Sequence, residues 1–235
     1  FIGIGGIGMS ALARYFLDKK YVIAGYDRTP TRITKKFEEA GCSISFNDDI
    51  VTIPPQFRDI HNKENYLIVF TPAIPADNRI LSFFRNNGYN IKKRSEVLGE
   101  ISAETNTVAI AGTHGKTTVS TMTAHLLKQS HVDCIAFLGG ISKNYGSNFI
   151  KGNSRYTIIE ADEYDRSFHR LIPQIAVITA IDSDHLEVYG NHETMVRAYN
   201  EFGCKIRHGG TMICRYAIRE HISAPEGVRF LTYGR

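Results

Sequence analysis

The sequence predicts an α/β protein with two consecutive domains, each built on a parallel β-sheet. Apolar β-branched segments alternate with amphipathic segments along the 235 residues, and such alternation is typical of βαβ units with right-handed crossovers. A glycine-rich loop separates a strand-like from a helix-like segment twice, at residues 3–8 and at residues 112–115. We therefore expect a Rossmann-like domain over residues 1–93, a linker over residues 94–106 and an incomplete P-loop-type α/β domain over residues 107–235.

The first domain is predicted to start with a strand at Ile2 and Ile4, which the glycine loop connects to a helix. Gly41 and Gly88 each follow an amphipathic segment and are typical helix stops. The other predicted elements are strands at residues 21–26, 43–46 and 66–71 and helices at residues 31–40 and 77–87. The linker after this domain has helical character at residues 94–104.

The second domain continues the alternation around the second glycine loop. Residues 107–111 predict a buried strand, and Lys116 begins a helical pattern. Further strands are predicted near residues 135–138, 156–161, 176–181 and 211–214, and a helix over residues 192–205. Residues 229–235 have the pattern of another strand start, so we expect this domain to be cut off.

The composition excludes several classes of protein. Hydrophobic residues make up 43% and charged residues 22% of the chain, as in ordinary globular domains. The apolar runs are only as long as a strand, which is too short for a membrane-spanning helix. The net charge of +4 comes from dispersed lysines and arginines, which does not indicate a nucleic-acid surface. Four scattered cysteines fit reduced thiols. We expect a cytoplasmic protein without a signal peptide, whose partners are anionic small molecules and neither nucleic acids nor membranes.

The segment TVAIAGTHGKTT at residues 107–118 predicts a site for a nucleoside triphosphate. Glycines let backbone N–H groups approach phosphate oxygens, a lysine reaches the β- and γ-phosphates, and a hydroxyl binds Mg²⁺. The strict pattern fails at one position, since Ile110 stands where the earlier glycine is usual. The predicted nucleotide-binding residues are Gly112, Thr113, His114, Gly115, Lys116, Thr117 and Thr118.

The first glycine loop satisfies the pattern G-x-G-x-x-G between a strand and a helix. Asp27 ends the second strand 19 residues after Gly8, where a ribose-binding carboxylate is expected. A nicotinamide dinucleotide and a UDP-sugar offer the same diphosphate and hydroxyl groups. The pattern therefore predicts a diphosphate ligand and leaves both possibilities open.

Acidic and histidine residues follow two further predicted strands. Glu160 comes directly after residues 156–159, and His185 follows residues 176–181. The carboxyl ends of parallel strands collect ligands at one edge of a sheet, and Mg²⁺ prefers carboxylate oxygens together with phosphates and water. Glu160 fits a magnesium ligand, whereas a histidine there is more often a capping or catalytic group. Helix capping or pairing with Arg166 or Arg170 is the alternative for the acidic residues.

Together these motifs resemble the Mur ligases, the ATP-dependent amino-acid ligases of peptidoglycan precursor synthesis. The resemblance covers essentially the whole chain and includes GIGGIGMSALA at 3–13, TPAIPADN at 71–78, GTHGKTT at 112–118, EADEYDRSF at 160–168 and AIDSDHLEVYG at 180–190. It implies an N-terminal domain for the UDP-sugar, a central ATPase domain and a C-terminal domain for the amino acid, the last absent from this sequence. It also implies the cofactors ATP and Mg²⁺ and the substrates UDP-N-acetylmuramate and L-alanine.

The resemblance also implies roles for single residues. Lys116, Glu160 and His185 would be catalytic, and Thr117, Glu160 and His185 would hold magnesium. Ala180 departs from the family, which often has asparagine there, and the alanine side chain offers no polar contact from this position. The implied UDP-sugar residues are Gly5, Gly6, Ile7, Gly8, Met9 and Ser10 for the diphosphate, and Asp27, Thr71, Pro72 and Ala73 near the uridine.

The sequence is also compatible with three alternatives. A nicotinamide-dependent oxidoreductase would explain the first glycine loop but not the second. A sister ligase that attaches a recycled tripeptide to the same UDP-sugar would share both loops. A catalytically silent nucleotide-binding fragment is the third, because the amino-acid domain is absent from the sequence.

Overall fold

The computed structural model describes residues 1–182 and 189–234, and the chain divides into two compact units, Phe1–Val97 and Leu98–Arg235. The predicted α/β class with parallel sheets is confirmed in each unit. The division falls inside a helix, Arg94–Glu104, which covers most of the segment predicted as a linker. Among the described residues, no helix is long and apolar enough to cross a membrane.

The N-terminal unit consists of short strands connected by helices. Parallel pairing joins β1 to β2 and β3 to β4. The elements are α1 Ile7–Asp18, β1 Ala24–Tyr26, α2 Arg32–Glu39, β2 Ser43–Ser45, β3 Leu67–Phe70, α3 Arg79–Asn86, β4 Asn90–Lys93 and α4 Arg94–Glu104, which continues past the division.

The strand predicted at the start of the chain is reduced to one bridging residue. Ile2 forms parallel bridges with Tyr26 and with Phe70, and so lies between the two strand pairs. Gly3 has a φ of +89°, which turns the backbone out of the sheet directly after the bridge. The carboxyl ends of β1, β3 and β4 therefore share one edge with the start of the glycine loop.

Side-chain caps fix where two helices of this unit begin. The Thr31 side chain accepts hydrogen bonds from Ile33 N and Thr34 N, and the Thr34 hydroxyl accepts one from Thr31 N in return, which starts α2. Asn78 Oδ1 accepts from Leu81 N at 2.8 Å. Because Asn78 acts as a cap, α3 begins at Arg79, slightly later than the pattern predicts.

The C-terminal unit is a single seven-stranded sheet with helices packed on it. The strand order is β11-β10-β9-β5-β8-β6-β7, and every neighbouring pair is parallel except β6 with β7. The elements are β5 Asn106–Ala111, α5 Lys116–Gln129, β6 Ile135–Ser142, β7 Ser147–Ile150, β8 Tyr156–Glu160, β9 Ile175–Ile178, α6 His192–Gly203, β10 Thr211–Arg215 and β11 Arg229–Tyr233.

Two features of this sheet differ from the expectations. The antiparallel strand β7 is not predicted, and it pairs with an extension of β6 to Ser142. β9 ends at Ile178, whereas the sequence predicts a strand through residue 181.

The outer strand β11 is exposed along all five of its residues.

Candidate functional site

The second glycine loop connects the central strand β5 to helix α5. Gly112 has a φ of +134° and Gly115 a φ of +83°, a region that favours glycine. A Cβ atom on Gly112 would lie 2.1 Å from Thr179 Oγ1. Both glycines are therefore required by the backbone, and α5 starts at Lys116 directly after them.

The residues after β9 hold this loop in place. Thr179 Oγ1 lies 3.1 Å from Ala111 O and also contacts His114 O. Thr113 N donates to Ala180 O at 3.0 Å. Ala180 thus contributes through its backbone carbonyl, a contact that does not depend on its side chain.

Lys116 is fixed by a buried carboxylate. Its Nζ donates to Gly112 O and to Glu163 Oε1, both at 2.7 Å. The side chain of Glu163 is 1% exposed and that of Lys116 is 16% exposed. Burial raises the pKa of Glu163 above its ordinary value, although the lysine ammonium opposes this shift. These contacts use two of the three ammonium protons and hold the ammonium group beside the loop.

Glu160 ends β8 beside the first turn of α5. Its Oε1 accepts from Thr117 Oγ1 at 2.8 Å, and its Oε2 accepts from Gly139 N at 2.7 Å and from Ser120 Oγ at 3.3 Å. A Cβ atom on Gly139 would lie 2.1 Å from Glu160 Oε1, so the carboxylate occupies the space beside a glycine. The structure thus brings together two of the three predicted metal ligands, Thr117 and Glu160.

The oxygen atoms of this pair suit magnesium. Mg²⁺ usually takes one or two protein oxygens and completes its shell with phosphate oxygens and water. Across residues 1–182 and 189–234, no group of three or more His, Cys, Asp or Glu side chains could hold a metal ion. The predicted third ligand, His185, lies outside the described residues.

His114 and Asp182 lie at the exposed side of the same loop. His114 Nε2 is 3.6 Å from Asp182 Oδ2, and each side chain is 62% exposed, so this contact contributes little to stability. Asp182 N donates to Thr113 Oγ1 at 3.0 Å. Thr118 is exposed on the first turn of α5.

The first glycine loop lies in the N-terminal unit and is held by Asp27. Gly5 N donates to Asp27 Oδ2 at 2.7 Å, and Thr29 N lies 3.3 Å from Asp27 Oδ1. A Cβ atom on Gly5 would lie 2.9 Å from Asp27 Oδ2. The carboxylate predicted to contact a ribose therefore also positions the backbone of the loop.

The other predicted UDP-sugar residues lie around the start of α1. Gly6 precedes the helix, Ile7 is its first residue, and Met9 and Ser10 are buried, with Ser10 Oγ donating to Ile7 O at 2.9 Å. Thr71 Cγ2 would lie 2.9 Å from a Cβ atom on Gly3. Pro72 and Ala73 form the exposed turn after Thr71.

Comparison with known protein families identifies both units. The description "Mur ligase family, catalytic domain" matches residues 1–106, and "Mur ligase middle domain" matches residues 110–235. The chain belongs to the Mur ligase family.

Curated relatives within the Mur ligases are similar over the whole chain. The UDP-N-acetylmuramate–L-alanine ligase of Phocaeicola vulgatus is 50% identical over 236 residues, which cover 100% of this chain and 51% of the relative. The enzyme of the same name from Porphyromonas gingivalis strain W83 is 49% identical over 234 residues, 99% of this chain and 51% of the relative. The chain spans about half the length of the curated relatives it matches.

Solved structures of Mur ligases have the same fold. The UDP-N-acetylmuramate-alanine ligase MurC from Thermotoga maritima is 28% identical, with a TM-score of 0.77 over 92% of this chain and 48% of that chain. A murein peptide ligase, MPL, from Neisseria meningitides has a TM-score of 0.86 over 100% of this chain and 76% of that chain. Its identity is 20%, so this second likeness concerns the fold alone.

Two residues of the candidate site, Glu163 and Thr179, were not singled out by the sequence patterns. Glu163 belongs to the motif EADEYDRSF, but its spacing does not distinguish a buried partner of Lys116 from a helix cap. Thr179 follows β9, and its hydroxyl within the otherwise apolar strand predicted over residues 176–181 is the signal that could have identified it. An apolar cavity of about 290 Å³ in the N-terminal unit, lined by Phe1, Val22 and Leu67 among others, includes none of the predicted site residues.

Proposed function

We propose that this chain is the part of an ATP-dependent UDP-N-acetylmuramate–L-alanine ligase that binds the UDP-sugar and ATP. The observation that carries the proposal is the pairing of Lys116 with Glu163 and of Thr117 with Glu160 at the carboxyl ends of β5 and β8. Relatives of that name, about half of whose length the chain covers, support this choice of substrates. The cell compartment we propose is the cytoplasm, where ATP and the UDP-sugar are available.

The proposed reaction has two steps. An oxygen of the lactyl carboxylate of UDP-N-acetylmuramate attacks the γ-phosphorus of ATP. The bond between this phosphorus and the β–γ bridging oxygen breaks, so that ADP is released and an acyl phosphate is formed. The amine of L-alanine then attacks the acyl carbon and loses a proton, and inorganic phosphate departs. Both steps bring anionic groups together, so positioning and charge neutralisation dominate the catalysis.

Residues of the C-terminal unit supply that neutralisation. Lys116 is held at the loop by Gly112 O and Glu163 and donates to the phosphates, and its charge stabilises the transferring phosphoryl group. The N–H groups at the start of α5 point toward the same anion. When bound, Mg²⁺ would be held by Thr117 and Glu160 and would neutralise charge on the phosphate oxygens.

Residues of the N-terminal unit are assigned to the UDP-sugar. The segment from Gly5 to Ser10 contains the end of the glycine loop and the first turn of α1, and the N-terminus of a helix favours a diphosphate. Asp27 keeps the loop in this conformation through Gly5 N. We assign Thr71, Pro72 and Ala73, at the same edge of the sheet, to the uridine side of the ligand.

Calorimetric titration of this chain with UDP-N-acetylmuramate, in parallel with NAD⁺, tests the proposal. We expect heat of binding for the UDP-sugar and none for NAD⁺. Binding of NAD⁺ alone would overturn the ligase assignment in favour of an oxidoreductase. A second titration with Mg·ADP tests the other unit, and the expected result is binding that Lys116→Ala weakens.

A further inference from the structure

The third glycine of the first loop lies against an arginine. A Cβ atom on Gly8 would lie 3.1 Å from Arg94 Nη1 and 3.2 Å from both Cδ and Cζ of the same side chain. Gly8 is the second residue of α1 and has no positive φ, so its backbone does not require glycine. The space beside Gly8 is instead taken by the end of the Arg94 side chain, close to the helix start.

The topology of the N-terminal unit explains how Arg94 reaches this position. Arg94 directly follows β4, which pairs in parallel with β3, and Phe70 of β3 is bridged to Ile2 just before the loop. The carboxyl end of β4 is therefore at the same edge of the sheet as the glycine loop. Arg94 is half-buried, and the end of its side chain lies beside Gly8 in the first turn of α1.

A diphosphate at this loop needs more positive charge than the helix N-terminus provides, and Arg94 can supply it. Asp27 places a carboxylate 2.7 Å from Gly5 N, and this negative charge opposes the approach of a diphosphate. The N-terminus of a helix offers only about half of one positive charge. A guanidinium supplies a full charge and planar donors that match phosphate oxygens in pairs.

We propose that Arg94 is a further diphosphate-binding residue, whose guanidinium contacts the diphosphate of the UDP-sugar at the glycine loop. The inference rests on the proposed function, because it takes the UDP-sugar as the ligand of this loop. It also gives Gly8 a specific role, which is to leave space for an arginine beside the ligand. In the usual dinucleotide fingerprint the third glycine instead allows a helix and a strand to pack closely.

Titration of the chain with UDP, and with uridine by competition, tests this inference. We expect Arg94→Ala to weaken UDP binding about 10- to 100-fold, the size of a lost charge-assisted contact, and to change uridine binding less than about 2-fold. Arg94→Lys retains the charge and should recover part of the loss. Lys93→Ala removes the same charge from the exposed neighbouring residue and should change UDP binding less than about 3-fold.

The outcomes separate the inference from the function on which it rests. Equal binding of UDP by Arg94→Ala and the wild-type chain would overturn the inference alone. An equal loss of UDP and uridine binding would also overturn it, since the arginine would then only support the fold. If the wild-type chain binds neither UDP nor UDP-N-acetylmuramate, the proposed function of this unit fails first.

Discussion

At the scale of single residues, several glycines of this chain are explained by the side chain that lies beside them. In each case a Cβ atom would come within about 3.2 Å of a functional or loop-holding group, or much closer. The pairs are Gly5 with Asp27, Gly8 with Arg94, Gly112 with Thr179 and Gly139 with Glu160. Glycine patterns in this chain therefore mark where side chains approach the backbone, in addition to where ligands do.

Gly112→Ala tests this explanation in the nucleotide loop. The new Cβ would lie 2.1 Å from Thr179 Oγ1 at a φ of +134°, so we expect loss of Mg·ADP binding and a free energy of unfolding lower by more than about 2 kcal/mol. Gly146→Ala is the matched control, because its φ is +59° and nothing lies within 4 Å. It should cost about 1 kcal/mol and leave binding intact. Equal effects in calorimetry and urea unfolding would contradict the prediction.

Glu163→Gln tests the buried partner of Lys116 through pH. The pKa of Glu163 is raised in the folded chain by burial, so the folded state holds its proton more tightly than the unfolded state does. The stability associated with this proton is present below the ordinary carboxyl pKa of about 4.3 and is lost as the pH rises through the raised value. The melting temperature of the wild type minus that of Glu163→Gln should therefore fall as the pH rises from about 4 through the raised pKa of Glu163. A difference that stays flat or rises would show that the Lys116 contact outweighs burial.

At the scale of elements, strands and helices of this chain depend on different features of the sequence. Burial determines the central strand, and local backbone signals determine where helices begin. Most of β5 is buried, and its side chains from Thr107 to Ala111 are small or β-branched, as in the centre of a parallel sheet. The helices begin where caps or glycines stop the preceding backbone, at Thr31 for α2 and at Gly115 for α5. The helix start is therefore set by side-chain hydrogen bonds at Thr31 and by a left-handed backbone conformation at Gly115.

Thr31→Ala measures the contribution of one such cap. The substitution removes the acceptor for Ile33 N and Thr34 N, both at 3.2 Å, and should lower the free energy of unfolding by about 1 kcal/mol. Thr31→Ser keeps the hydroxyl and should remain within about 0.5 kcal/mol of the wild type. Urea unfolding followed by circular dichroism gives both values, and equal losses in the two variants would assign the effect to the methyl group.

Much of this arrangement was predictable from the sequence, because periodicity and glycine stops are local signals. The α/β class and the position of α5 after Gly115 follow from such signals. The short edge strand β7 could not be predicted, since its pairing with β6 depends on a turn and on neighbours distant in the chain. The bridge at Ile2 depends likewise on two strands that come later.

The candidate site was predictable in part for the same reason. Thr117 and Glu160 were predicted from motifs and are in contact in the structure. Glu163 and Arg94 act across 47 and 86 residues of sequence, on Lys116 and Gly8 respectively, and no local pattern encodes such a contact. Long-range partners of this kind require the strand order to be known.

At the scale of the whole molecule, the chain divides its two proposed ligands between two compact units. The glycine loop with Asp27 and Arg94 belongs to Phe1–Val97, and the loop with Lys116 belongs to Leu98–Arg235. Each unit has its own sheet and its own buried cluster of side chains. We therefore expect substitutions in one loop to leave the binding of the other ligand unchanged.

Lys116→Ala tests this independence. In the full-length ligase that would contain this chain, we expect ADP release to fall by about 100- to 1,000-fold, because a charge that stabilises the transferring phosphoryl group is lost. UDP binding by the chain should change less than about 2-fold. Lys205→Ala, at an exposed position after α6, is the control for a lost surface charge. Near-normal ADP release by Lys116→Ala would contradict the role of the lysine.

The outer strand of the seven-stranded sheet has a consequence for handling the protein. β11 closes the strand order on one side, and its exposed residues include Phe230, Leu231 and Tyr233. Exposed apolar edge strands act as templates for pairing with further chains. Concentrated samples of this chain should therefore self-associate through β11, and Leu231→Lys is the substitution that would favour single molecules for crystallisation or spectroscopy.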